Sequence, residues 1–99
     1  MTKQQVDRIR KEYGDEYLYR QLADECMELS HAALKLIRAQ RGETPVPLQE
    51  AQEALLEEAA DMRVMLNVLN DMLDADERVR LMVQAATKDK RMAARLLGE

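Results

Sequence analysis

Between Asp15 and Arg41 the chain has neither glycine nor proline, and Leu18, Leu22, Glu25, Leu29, Ala32 and Leu36 recur there at alternating steps of four and three. That spacing lines one face of an α-helix. The segment RGETPVP, Arg41 to Pro47, then breaks the chain with one glycine and two prolines. Beyond it Leu48, Ala51, Leu55, Glu58, Met62, Met65, Leu69 and Met72 repeat the same alternation. Two helices of this length joined by so short a loop have one simple arrangement, an antiparallel hairpin with the two seams face to face.

The flanking segments read as helices too. A polar, helix-like run from about Thr2 to Tyr13 stops at Gly14, and Asp15 is placed to cap the helix that follows. DADE, Asp74 to Glu77, can cap a last helix that runs to about Leu97 and ends at Gly98. The inner face expected for that helix is Val79, Met82, Val83, Ala86 and Ala93. With no Phe, no Trp and 46% hydrophobic residues, the core must come from Leu, Ala, Met and Val, a palette of packed helices. The expectation is therefore an all-α antiparallel bundle of about four helices forming one domain over residues 1–99. A chain of 99 residues buries a modest share of its surface, so completion by oligomerisation, as a homodimer or homotetramer, is expected as well.

Charge and cysteine content narrow the classes of partner. The formal net charge is −4, with both signs interspersed, which argues against a polymeric nucleic acid as partner. No run is apolar and long enough for a bilayer, no apolar leader is evident, and the single Cys26 cannot form an internal disulfide. A cytoplasmic location without membrane association is the expectation that follows.

Each seam contains one residue that should not be there. Glu25 and Glu58 occupy positions where the periodicity calls for an apolar side chain, and each has a second acid three residues on, Glu28 and Asp61. Residues three apart are neighbours on a helix surface. At ~1.5 Å per residue the first pair lies about 20 Å from the loop and the second about 17 Å, a difference of less than one turn. Four carboxylates should therefore converge between the helices. Unpaired, they would suffer both desolvation and mutual repulsion, so a positive charge is expected among them. An all-oxygen ligand set favours a hard divalent cation, Mg²⁺ or its substitute Mn²⁺.

Asp24, Glu25 and Glu28 in DECMEL, followed by Glu57, Glu58 and Asp61 in LLEEAADM, resemble the paired motif of the MazG-like all-α nucleoside triphosphate pyrophosphohydrolases, E-E-x-x-E on one helix facing E-x-x-D on the next. The likeness runs from about Gln21 to Leu97 and takes in AALK, the TPV loop, and the row Lys88, Arg91 and Arg95. Asp24 stands in place of the first glutamate, residues 29–57 make a long connection for the pattern, and Met92 stands where relatives often carry an aromatic residue. The resemblance implies Mg²⁺-dependent hydrolysis of an NTP or dNTP to the monophosphate and pyrophosphate, in the housecleaning of nucleotide pools. Glu25, Glu28, Glu58 and Asp61 would then be both the metal ligands and the catalytic acids.

Basic and polar residues around the acids complete the expected site. Lys35 is two turns beyond Glu28 on roughly the same face, within reach of phosphate oxygens, and the resemblance adds Lys88, Arg91 and Arg95 as phosphate contacts. Gln21 and Tyr17, one and two turns before Glu25, and Asn67, after Asp61, are candidates for the base or sugar. A rival enzyme is phosphoribosyl-ATP pyrophosphatase, but its aromatic–histidine pair after the second acidic motif is replaced here by MRVML. A non-catalytic helical interaction module is the alternative from another class, and it leaves Glu25 and Glu58 without a purpose.

Overall fold

The computed structural model describes residues 1–99 and contains four helices and no strands: α1 (Lys3–Tyr13), α2 (Asp15–Gln40), α3 (Leu48–Met72) and α4 (Ala75–Leu97). The helix ends follow local chemistry. Thr2 and Gln5 form a reciprocal capping box at the start of α1, as Asp74 and Glu77 do at the start of α4. At the end of α2 the Glu43 N–H donates to Arg38 O at 2.9 Å and the Gly42 N–H to Ala39 O at 3.2 Å. This is a Schellman motif, and the φ of +69° at Gly42 is why a glycine stands there.

The corner between α1 and α2 departs from the expectation. Gly14 rather than Asp15 is the cap residue, with φ 86° and ψ 159°, a conformation essentially reserved for glycine. Asp15 is already the first residue of α2, and its carboxylate accepts from Arg10 Nε at 2.9 Å and Arg10 Nη2 at 3.1 Å. That bond pushes the Asp15 carboxyl below its ordinary value and the Arg10 guanidinium up. The acid thus ties α2 back to α1 instead of capping its own helix.

α2 and α3 form the hairpin, and α1 lies against both. All six positions of the α2 seam are shielded at least in part, as are all positions of the α3 seam except Leu48. A small apolar centre of Val6, Leu18 and Val68, flanked by Ile9, Met65 and Met72, joins α1 to the hairpin, and Ala32 and Ala51 fill the contact nearer the loop. Small residues there let the two helix backbones approach closely.

α4 contradicts its expected inner face. Val79, Met82, Val83 and Ala86 are exposed, Ala93 alone is partly covered, and no residue of the helix is buried. The amphipathic pattern is real, but within one chain α4 runs clear of the hairpin and nothing lies against its apolar side. The molecule is accordingly flat and wide, 46 × 39 × 19 Å, with a radius of gyration of 17.0 Å. A compact chain of this length would have a radius of gyration of about 13 Å. No helix is long and apolar enough to cross a membrane.

Candidate metal centre

The hairpin brings the two acidic pairs to one place. Glu25 and Glu28 from α2 and Glu58 and Asp61 from α3 each present a carboxylate oxygen, and these four atoms all lie within 4.8 Å of one another. Glu25 and Glu58, the two seam positions, are half-buried, whereas Glu28 and Asp61 stand at the solvent edge. This split follows from the helix geometry. A residue on the seam points at the facing helix, and its neighbour three residues on is rotated toward the rim.

The electrostatics of the cluster are one-sided. One oxygen of Glu25 and one of Glu58, each Oε2, is shut off from solvent and has no hydrogen-bond partner. Burial pushes the carboxyl pKa of both residues up from the ordinary value. For Glu25 the next contribution is repulsion from Glu28, Asp61 and Asp24, and for Glu58 it is the neighbouring Glu28 carboxylate, followed by Asp61 and Glu25. Every charge acting on the pair is negative, and none of the five ion pairs in the molecule involves any of the four acids. A shielded acceptor without a partner is destabilising, and no side chain of the protein compensates these two.

A divalent cation fits the cluster chemically. Hard ions take oxygen ligands at about 2.0–2.6 Å, so oxygens on opposite sides of one ion are roughly 4–5 Å apart, the scale of the cluster. Glu25, Glu28, Glu58 and Asp61 are the residues able to hold such an ion. The immediate surroundings are otherwise soft: the Cys26 thiol donates to Met62 Sδ at 3.7 Å, and this contact bridges α2 and α3 beside the acids.

The other expected site residues divide. Lys35 is exposed and lines a cavity of about 210 Å³ with Arg38, Thr44, Val46, Glu50 and Ala54, at the loop end of the hairpin. Gln21 is half-buried on the same helix as Glu25. Tyr17 is exposed and stacks on Tyr13 across the α1–α2 corner, with ring centroids 5.1 Å apart. Asn67 points elsewhere: it lines pockets on the opposite side of α3 with Val64 and Asp71 and with Leu56 and Ala60. Six residues past Asp61 is about 240° around the helix at 3.6 residues per turn, which carries Asn67 off the acidic face. Lys88, Arg91 and Arg95 are exposed on α4, form no ion pair, and are not among the charges felt by Glu25 or Glu58. Arg38 was not anticipated, although it lies three residues after Lys35 and therefore on the same face.

Comparison with family models, with curated proteins and with solved structures found no match to this chain.

Proposed function

We propose that the chain is a Mg²⁺-dependent nucleoside triphosphate pyrophosphohydrolase of the MazG-like kind, releasing pyrophosphate from an NTP or dNTP and working as a homodimer or homotetramer. The observation that carries the proposal is the convergence of Glu25, Glu28, Glu58 and Asp61 between α2 and α3, with two buried oxygens unpaired and no basic side chain paired with any of the four. A protein that needed only a stable hairpin would be better served by apolar residues at positions 25 and 58.

The four acids would hold Mg²⁺ or Mn²⁺, and the bound ion would supply charge stabilisation at the phosphate oxygens and acidify a water. The raised carboxyl pKa values of Glu25 and Glu58 belong to the cluster without an ion and would fall when a divalent cation binds; one of the four acids would also orient the attacking water. Lys35 and Arg38, side by side on α2, would take the negative charge of phosphate oxygens that extend along the hairpin toward the loop. Phosphoryl chemistry asks for this kind of positioning and charge clamp more than for a covalent nucleophile.

The test is pyrophosphate release from a panel of NTPs and dNTPs, with phosphoribosyl-ATP included, in the presence and absence of Mg²⁺. Expected is turnover of at least one nucleoside triphosphate that requires the metal and is abolished by Glu58→Ala with helicity retained. Turnover unaffected by Glu58→Ala would refute the assignment of the acids. A chain inert toward the whole panel would instead favour the interaction-module reading, for which the exposed face of α4 is the supporting observation.

A further inference from the structure

We infer that the apolar side of α4 is the seat of a second copy of this chain. The inference names the face through which the expected oligomer forms and does not rest on the catalytic reading.

The surface area requires a partner of substantial size. A folded monomer of 11.4 kDa should expose about 5,800 Å², from the scaling of accessible surface with mass. This chain exposes 7900 Å², an excess of roughly 2,100 Å² over that reference. Buried from both sides of a twofold contact, that excess amounts to about 4,200 Å², within the roughly 2,000–5,000 Å² of obligate homodimers and above the ~1,600 Å² total of a standard-size complex.

The excess has a location. Every residue from Leu81 to Lys90 is exposed, and Val79, Met82 and Val83 are 58%, 71% and 60% exposed on one side of the helix. Two open grooves accompany this strip, one beside it and one on α3. One of about 570 Å³ lies where α3 gives way to α4, walled by Asn70, Val79 and Met82, and another of about 560 Å³ runs along the outer face of α3, walled by Leu56, Ala59, Ala60 and Val64. The apolar strip on α4 and the groove on α3, where Arg63 and Asn67 join the apolar walls, are two open surfaces of one chain that a second copy can cover. A twofold axis satisfies both at once, since whatever α4 of one copy covers on its partner, the partner's α4 covers in return. The basic residues Lys88, Arg91 and Arg95 fall on the other side of α4 and remain outside the contact.

The experiment is sedimentation or light-scattering mass of the full chain at micromolar concentration, without nucleotide or metal, for wild type, Val83→Glu and Gln84→Glu. The two substitutions add the same charge at adjacent exposed positions, one on the apolar strip and one turned away from it, and neither removes packing within the chain. Expected is a wild-type mass at least twice that of one chain, a fall of roughly twofold or more for Val83→Glu with helicity intact, and no change for Gln84→Glu. A wild type of one-chain mass overturns the inference, as does an oligomer that Val83→Glu leaves whole. Either failure leaves the carboxylate cluster untouched, because no metal or substrate enters the measurement.

Discussion

Replacing Gly14 by alanine tests the corner that brings α1 onto the hairpin. Gly14 has φ 86° and ψ 159°, and no atom lies within 4 Å of where a Cβ would be placed. Steric contact with neighbours therefore contributes nothing, and the cost is the backbone conformation alone, about 1–3 kcal/mol for an L-residue in this region. The chain has one escape, to let α1 and α2 run on as a single helix. That would pull Val6, 1% exposed, and Ile9 out of the centre they share with Leu18 and Val68. At about 1.5–3 kcal/mol for each large apolar side chain, and less for the half-buried Ile9, undocking costs as much as the strain or more. Gly14→Ala should therefore lose about 1–3 kcal/mol, a fall in Tm of roughly 5–20 °C for a domain of this size. Thermal melting followed by circular dichroism at 222 nm reads it. A variant melting at the wild-type temperature would refute the view that this backbone conformation holds α1 in place.

Leu18→Ala removes three carbons from that same small centre, worth ~2.4 kcal/mol of transfer energy plus a cavity contribution, and should lower Tm by more than about 10 °C in the same assay. The pH dependence of the metal-free protein has two limbs of opposite sign. Glu25 and Glu58 have folded pKa values raised above the ordinary 4.5, so their contribution is fully present below that value and is lost as pH rises through the raised one. Asp15 is lowered from 3.8, so its contribution is present above that value and is lost as pH falls through the lowered one. Melting in a chelating buffer should show a decline in Tm above about pH 4.5, and Glu58→Gln should flatten it and raise the neutral-pH Tm; a variant with an unchanged profile would mean the buried carboxylates do not repel. Lys35→Ala should lower kcat/KM for the triphosphate by roughly tenfold or more through loss of a charge-assisted contact, with Tm unchanged, and equal kcat/KM would remove Lys35 from the site.

How much of this was legible in the sequence depended on whether the pattern carried its own partner. The α2 and α3 seams were readable because each helix is the other's cover, so periodicity and burial coincide from Leu18 to Leu36 and from Ala51 to Met72. Glu25 and Glu58 stood out for the same reason, and the equal heights of the two acidic pairs followed from counting residues back from the loop. Val6, Ile9 and Tyr13 do share one face of α1 at steps of three and four, but in so short and polar a helix that face does not show that Val6 is the most deeply buried side chain in the molecule. α4 failed in the opposite way. Val79, Met82 and Val83 do share a face, but periodicity reveals that a face exists and not what covers it. Asn67 follows Asp61 closely along the chain, but the angle around the helix turns it off the acidic face, and Asp15, a good capping residue, binds Arg10 instead. The unpaired Oε2 atoms had no sequence signal beyond the seam itself.

The most direct measurement of the central claim is calorimetric titration of Mg²⁺ and Mn²⁺ into wild-type protein and into Glu25→Gln and Glu58→Gln, with folding of each checked by circular dichroism. If the half-buried carboxylates are there to hold a divalent ion, the wild type binds at least one ion per chain and each substitution weakens binding by roughly tenfold or more, about 1.4 kcal/mol, while the metal-free fold persists. A wild type that takes up neither ion, or variants that bind as tightly as the wild type, would contradict it.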